Sequence, residues 1–125
     1  MTYYPDLSPY TYDSSDQEML NVGWLSRDHP FNIGTAPSGL VPALVELARE
    51  PVNVQRGMHF CELCPDFLTA RENTSRGDLF IGSGEIRVTG RQGIAYASPV
   101  MIVHYVEQHG YLPPADYCAA VLPSA

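Results

Sequence analysis

The sequence has no lysine, no long apolar run and few cysteines. Its seven basic residues are all arginines, and 14 acidic residues leave a formal net charge of −7. Non-specific nucleic-acid binding needs a basic surface that displaces counterions, so this charge argues against nucleic acid as a partner. A basic protein partner is compatible with it, because opposite charge speeds encounter. The simpler alternative is that the acidic charge only keeps the protein soluble.

Without an apolar run of spanning length, we expect no contact with a membrane. The first residues also lack the basic and apolar regions of a signal peptide, which predicts a cytoplasmic location. Three cysteines are too few for a disulfide framework. In a reducing compartment, the close pair Cys61 and Cys64 therefore indicates a metal knuckle or a redox pair.

The chain length of 125 residues predicts a single domain spanning residues 1–125. Ten glycines and 11 prolines predict many turns between short elements, and both strand and helix patterns occur, so the expected class is α+β. Residues 1–19 are expected to form an irregular N-terminal arm whose tyrosine rings pack on the domain. An exposed tyrosine-rich contact surface is the alternative.

Apolar periodicity places the remaining elements. Alternation predicts a strand at 20–24 and a hairpin that pairs 85–88 with 94–97 around the turn 89–93. An apolar stripe predicts a helix at 40–48 that begins near Ser38 or Gly39 and ends before Pro51. The stretch 66–78 is polar and is expected to have no helix.

Two proline dipeptides indicate the starts of the last two helices. Ser98 and Pro99 predict a helix that begins there, carries His104 and ends at Gly110. Pro113 and Pro114 predict one further short helix.

The strongest functional signal is a group of cysteines and histidines in two short windows. Cys61 and Cys64 form a Cys-x2-Cys knuckle, and His104 and His109 follow after 39 residues. Zn²⁺ prefers four such ligands in a tetrahedron, two from a knuckle and two from a helix. We therefore predict a domain built as knuckle, β-hairpin and helix around one Zn²⁺. The predicted ligands are Cys61, Cys64, His104 and His109.

The spacing of the two histidines leaves an alternative open. Five positions on a regular helix separate two side chains by about 140°, since each residue turns about 100°. His104 and His109 can share a metal only if the last turn before Gly110 loosens. Otherwise His59, two residues before Cys61, would replace His109.

A catalytic zinc is the weaker interpretation. It would need an open position for water and a general base nearby, for which Glu62 and Glu107 are the available carboxylates. The run His104-x-x-Glu107-x-His109 is one residue longer than the inverted metalloprotease motif, so its histidines leave the shared helical face. A redox Cys-x2-Cys would be expected just before a helix, which the stretch after Pro65 does not indicate. No catalytic residue is predicted.

Several strings resemble a family of small bacterial proteins of unknown function. They are Asn-Val-Gly-Trp-Leu at 21–25, Arg-Gly-Met-His-Phe-Cys at 56–61, Gly-Glu-Ile-Arg-Val at 84–88 and His-Tyr-Val-Glu-Gln-His-Gly-Tyr-Leu-Pro-Pro at 104–114. The resemblance spans nearly the whole chain and implies an independent domain, but it implies no activity. A likeness to zinc fingers covers only the ligand spacing and the order of elements.

The resulting hypothesis is a non-enzymatic, zinc-stabilised protein-interaction module that meets an unknown protein partner, for example a basic protein that it neutralises. The alternative is a small zinc-dependent hydrolase. Four protein ligands would indicate the first, and three ligands with a water would permit the second.

Overall fold

The computed structural model describes residues 3–10, 18–52, 60–90 and 93–122. Within these ranges the chain forms four helices and five short strands, which confirms the predicted α+β class. In chain order they are β1 (Met19–Asn21), α1 (Leu40–Ala48), α2 (Phe67–Glu72), β2 (Ser75–Arg76), β3 (Leu79–Phe80), β4 (Glu85–Thr89), β5 (Ala95–Pro99), α3 (Ile102–His109) and α4 (Ala115–Val121). No helix in the described ranges is long and apolar enough to cross a membrane.

A three-stranded sheet with the order β1-β5-β4 forms one side of the domain. Strands β4 and β5 are antiparallel, with Glu85 opposite Pro99 and Thr89 opposite Ala95, which confirms the predicted hairpin. Gly93 in the connecting turn has φ +75°, a conformation that favours glycine. Residues 91 and 92 of this turn lie outside the described residues. The parallel pairing of β1 with β5 was not predicted.

Helices α1, α3 and α4 supply the other side of the core. Helix α1 packs against α3 and α4, and α4 also contacts β4. Leu40, Leu44, Ile102 and Tyr105 are fully buried, as the apolar stripes of α1 and α3 predict. Cys61 and Cys64 belong to the same apolar cluster, so the knuckle lies against the core and not on an isolated loop.

The N-terminal arm runs beside β1 over the residues that the structure describes. The Tyr10 N–H donates to the Met19 carbonyl at 2.8 Å, and the Asn21 N–H donates to the Ser8 carbonyl at 2.8 Å. The Tyr4 ring meets Trp24 edge-on at 5.5 Å. In this part of the arm the rings pack on the domain, as expected.

The arm explains one error in the sequence interpretation. Alternation predicted a strand at 20–24, but β1 ends at Asn21 and the polar Asn21 side chain is fully buried. Its Nδ2 donates to Ser8 Oγ at 3.1 Å and to the Pro9 carbonyl at 3.0 Å. Because the arm covers this face, a polar side chain can be buried there with bonded donors.

Two further expectations about helices were wrong. Ser98 and Pro99 are the last residues of β5, and α3 begins only at Ile102. The Ser98 hydroxyl lies 2.8 Å from the Tyr117 hydroxyl, so it ties β5 to α4 and caps no helix. In the stretch expected to be non-helical, α2 forms because the Asp66 carboxylate accepts the Thr69 N–H at 2.8 Å.

Candidate metal centre

Cys61 and Cys64 lie on a turn just before α2, and each is only 2% exposed. Arg27, from the loop after β1, fixes the backbone of this turn. Its Nε donates to the Glu62 carbonyl at 2.8 Å and its Nη2 to the Cys64 carbonyl at 3.3 Å. The knuckle conformation therefore depends on a side chain 35 residues away in the chain. Sequence reasoning gave Arg27 no role.

Helix α3 brings both histidines to the knuckle because its last turn is wider than a regular α-turn. The N–H groups of Gly110 and Tyr111 both donate to the Tyr105 carbonyl, five and six residues earlier. Regular α-helical bonds span four residues, and wider turns contain more residues. Gly110 closes the helix with φ +68°. The loosening that a shared metal requires is therefore present in the backbone.

The four predicted side chains converge at one place. Cys61 Sγ and His109 Nε2 are 3.4 Å apart, and so are Cys64 Sγ and His104 Nε2. The two Nε2 atoms lie 3.1 Å apart, with the rings nearly perpendicular at 83°. All four ligand atoms lie within 4.8 Å of one another. A group of this composition and size could hold a metal ion.

Burial sets the protonation of these groups. It raises the pKa of the Cys61 thiol to about 12, and it lowers the pKa of His104 to about 4, to which the neighbouring His109 adds. The pKa of His109 is also lowered by burial. Neutral imidazoles have a free lone pair for a metal, whereas the thiol becomes a thiolate only if a cation compensates its charge. The group therefore favours a bound cation and disfavours a thiolate whose charge is not compensated.

One side chain outside the ligand group supports it. Asn73, at the end of α2, donates from Nδ2 to Cys64 Sγ at 3.4 Å. Groups in this position orient metal ligands and tune their basicity. The helix that the sequence analysis missed thus completes the surroundings of the site. A weak signal for it was present, since aspartate, here Asp66, is a preferred N-cap residue.

The presence of α2 also corrects one argument against a redox pair. No helix was expected after Pro65, but α2 begins at Phe67. The two histidines favour a metal site over a redox pair. A dithiol pair needs no second pair of ligands, whereas His104 and His109 lie within 3.4 Å of its sulfur atoms.

The other residues considered in the sequence analysis lie apart from the group or have other contacts. Glu107 forms a two-point ion pair with Arg76 at 3.0 and 2.9 Å. Glu62 Oε1 accepts the Arg27 N–H at 3.3 Å. Cys118 is buried on α4, where its Sγ lies 3.7 Å from the Pro113 carbonyl oxygen. His59, the alternative ligand, lies outside the described residues.

The fold and the converging side chains define a small α+β domain with a Cys2His2 group that could bind a metal ion. The family model described as a domain of unknown function, DUF7919, matches residues 2–122, so the chain belongs to this family. The expected membership in a family of unknown function is thereby confirmed. No curated protein and no solved structure matches the chain.

Proposed function

We propose that the chain binds one Zn²⁺ through Cys61, Cys64, His104 and His109, and that this ion stabilises a protein-interaction module. The convergence of four ligand atoms from two distant segments, three of them on buried residues and the fourth on half-buried His109, carries the proposal. With Zn–S bonds of about 2.3 Å and Zn–N bonds of about 2.0 Å, a tetrahedron separates S from N by about 3.5 Å and N from N by about 3.3 Å. The two Sγ–Nε2 separations of 3.4 Å and the Nε2–Nε2 separation of 3.1 Å are close to these values. Cys64 Sγ lies 3.9 Å from His109 Nε2, and all four ligand atoms lie within 4.8 Å of one another.

The donor set favours zinc over other divalent ions. Two thiolates and two imidazoles suit a tetrahedral ion of intermediate softness, whereas Mg²⁺ and Ca²⁺ prefer oxygen ligands. A site of four protein ligands is closed, which is typical of structural zinc. When bound, the ion would hold the knuckle and the end of α3 together.

The hydrolase alternative needs an open position and a free base near it. The surroundings of Glu107 count against it, because both of its carboxylate oxygens bond to Arg76. That ion pair also lowers the pKa of Glu107, which makes this carboxylate a weaker base. The hydrolase remains the second hypothesis only in the case that His109 is not a ligand.

Helix α2 supports the interaction role. Phe67 is 62% exposed and Leu68 is 68% exposed, whereas Ala70 is the buried residue of this helix. Large neighbouring apolar side chains on a surface are typical of contact sites. The Asn73 bond to Cys64 fixes this helix to the metal centre. The net charge of −7 favours a partner of opposite charge.

Metal analysis of protein purified without chelators tests the zinc assignment. We expect about one zinc per chain, and substitution of Cys61 by serine should abolish it, whereas Cys118→Ser should retain it. A zinc content well under half an equivalent would contradict the proposal. A different metal at full occupancy would contradict the choice of zinc but not the site.

Affinity capture of binding proteins from a lysate of the source organism, compared among three bait proteins, tests the interaction role. The bait proteins are the unsubstituted chain, the double variant Phe67→Ser/Leu68→Ser and the control Ile33→Ser/Val52→Ser, which removes two other exposed apolar side chains. We expect an identified basic protein that the control retains and the α2 variant loses. Equal capture by all three baits, or a partner that is acidic, would contradict the proposed partner class.

A further inference from the structure

A small cleft lies between the N-terminal arm and the loop that follows β1. Its volume is about 160 Å³, and three aromatic rings and one carboxylate are among its walls: Tyr3, Tyr4, Phe31 and Asp6. The proposed zinc centre uses none of these four residues. These residues combine three aromatic rings with one negative charge.

Each ring of the cleft is held in place by a second ring behind it. Tyr3 stacks on His29 at 3.8 Å and 3°, which covers one of its faces. Tyr4 meets Trp24 edge-on at 5.5 Å. The third ring, Phe31, meets Tyr111 edge-on at 6.1 Å. Because the rings are already positioned, a ligand would not have to order them on binding.

The carboxylate of Asp6 is fixed as well, but its charge is not neutralised. Its Oδ1 accepts the Gly23 N–H at 3.0 Å and its Oδ2 accepts the Tyr111 hydroxyl at 2.7 Å. Both donors are neutral, and in the described part of the chain Asp6 has no ion pair. Each oxygen retains a lone pair, so the full negative charge can act on a ligand in the cleft.

We propose that this cleft binds an ammonium group, the end of a lysine side chain on the basic partner. Aromatic faces are electron-rich and attract cations, and a carboxylate strengthens this attraction. An anion would be repelled by Asp6, and a neutral apolar group would leave the charge without compensation. The inference rests on the proposed function for the identity of the partner, but the binding chemistry is independent of it.

Two matched pairs of probes test the chemistry and the source of the ammonium group. Choline is compared with 3,3-dimethylbutanol, in which carbon replaces the charged nitrogen. The peptide Gly-Lys-Gly, acetylated at its N-terminus and amidated at its C-terminus, is compared with the same peptide acetylated on the lysine nitrogen as well. Zinc-loaded protein is titrated with each, and the ring and amide NMR signals of the four cleft residues are followed.

We expect choline and Gly-Lys-Gly to shift these signals in a saturable way, and their neutral counterparts to leave them unchanged. Equal shifts with the neutral probes would overturn the proposal, since the cleft would then be a plain apolar site. Binding of choline without binding of the lysine peptide would overturn the assignment to a protein partner and would indicate a free quaternary ammonium ligand.

Substitutions locate the binding. Tyr3→Leu keeps an apolar side chain without the ring, and Asp6→Asn keeps hydrogen-bonding atoms without the charge. Tyr3→Leu should weaken choline binding roughly two- to fivefold, the range of a single exposed cation–π contact. Asp6→Asn should weaken it by up to about fivefold, the range of a solvent-exposed ion pair. The controls are Phe80→Leu and Asp78→Asn, which change an exposed ring and an exposed carboxylate elsewhere. Unchanged affinity in both cleft variants would overturn the proposal.

Zinc content is measured in every sample, so that the two proposals can fail separately. Absence of ammonium binding by the unsubstituted protein, with one zinc retained, would count against the cleft alone. Protein without zinc that still binds choline through Tyr3 and Asp6 would count against the zinc centre alone. If Tyr3→Leu does not fold, Asp6→Asn and its control Asp78→Asn give the same decision.

Discussion

Two regions of the molecule are held together in different ways. The sheet region, which comprises β1, β4, β5 and the arm at 3–10, has backbone ladders, buried rings and the buried Glu85. The metal region comprises the knuckle at 60–64, α2 and the end of α3. In α2 the buried residue is a single alanine, and β2 and β3 have two residues each. We infer that the proposed zinc ion adds to the limited apolar packing of α2 and the knuckle.

The largest effect should follow from breaking the metal region at its thiolates. Structural zinc contributes on the order of 10 kcal/mol of apparent binding energy in small zinc-finger domains, comparable with the whole stability of a domain. Cys61→Ser or Cys64→Ser should therefore abolish soluble folding at 37 °C or lower the melting temperature sharply. Similar melting temperatures for Cys61→Ser, Cys64→Ser and Cys118→Ser would show that the ligand assignment is wrong.

The histidines sharpen the comparison, because the fourth ligand of the proposed site is either His109 or His59. If the wide last turn of α3 serves the metal, His109→Ala should lower zinc affinity steeply and His59→Ala should change it little. Competition titration with a zinc chelator measures both affinities. The opposite order would assign the ligand to His59. If both variants kept full affinity, three ligands would remain and the hydrolase hypothesis would move to the front.

Acid should weaken the metal region before the sheet region. The folded pKa of His104 is lowered to about 4, mainly by burial, from an unfolded value of about 6.5. Because the folded protein protonates His104 less readily than the unfolded chain does, the free energy of unfolding has its full value above pH 6.5. It decreases as the pH falls from 6.5 towards 4. Protons also compete with zinc for the thiolates, which acts in the same direction.

Melting temperatures between pH 7.5 and 4.5 measure this effect. We expect a steady decline below pH 6.5, with signals of the knuckle and of α3 lost before those of β4 and β5. His29→Asn is the control, because His29 is exposed and lies outside the ligand group. A melting temperature that stays flat over this range would contradict the role given to neutral His104.

The smallest effects should come from single polar contacts in each region. Tyr10 donates its hydroxyl to both oxygens of buried Glu85, at 3.0 and 2.8 Å. Removing it by Tyr10→Phe should cost about 1–2 kcal/mol of unfolding free energy, since part of the carboxylate loses its donor. Arg76→Ala breaks a partly exposed ion pair and should cost no more than about 1 kcal/mol.

Denaturant unfolding of zinc-loaded protein measures both changes. If Arg76→Ala lowered the free energy of unfolding more than Tyr10→Phe did, the comparison would be reversed. The partly exposed ion pair beside the metal region would then be the stronger contact. Zinc content should stay at one equivalent in both variants.

Sequence patterns predicted the elements that depend on local signals. The apolar stripe of α1 and the hairpin around Gly93 are of this kind. The Cys2His2 group joins distant segments, and it was predicted from the residue types that zinc prefers as ligands. What the patterns missed depends on contacts between distant segments. Asn21 is buried because the arm covers it, and the Ser98 hydroxyl bonds to the Tyr117 hydroxyl instead of capping a helix. Arg27 and Asn73 contact the knuckle only once the chain is folded, so no spacing rule identifies them.

The contact of Arg27 with the knuckle has a thermodynamic consequence. The loop that carries Arg27 continues through Pro30 and Phe31, which line the aromatic cleft. Any free energy that this loop transmits between the knuckle and the cleft must be reciprocal. If zinc raises the affinity of the cleft for an ammonium group by some factor, the ammonium ligand raises the affinity for zinc by the same factor. Through Arg27, the proposed zinc ion and the proposed ammonium ligand would then share one equilibrium.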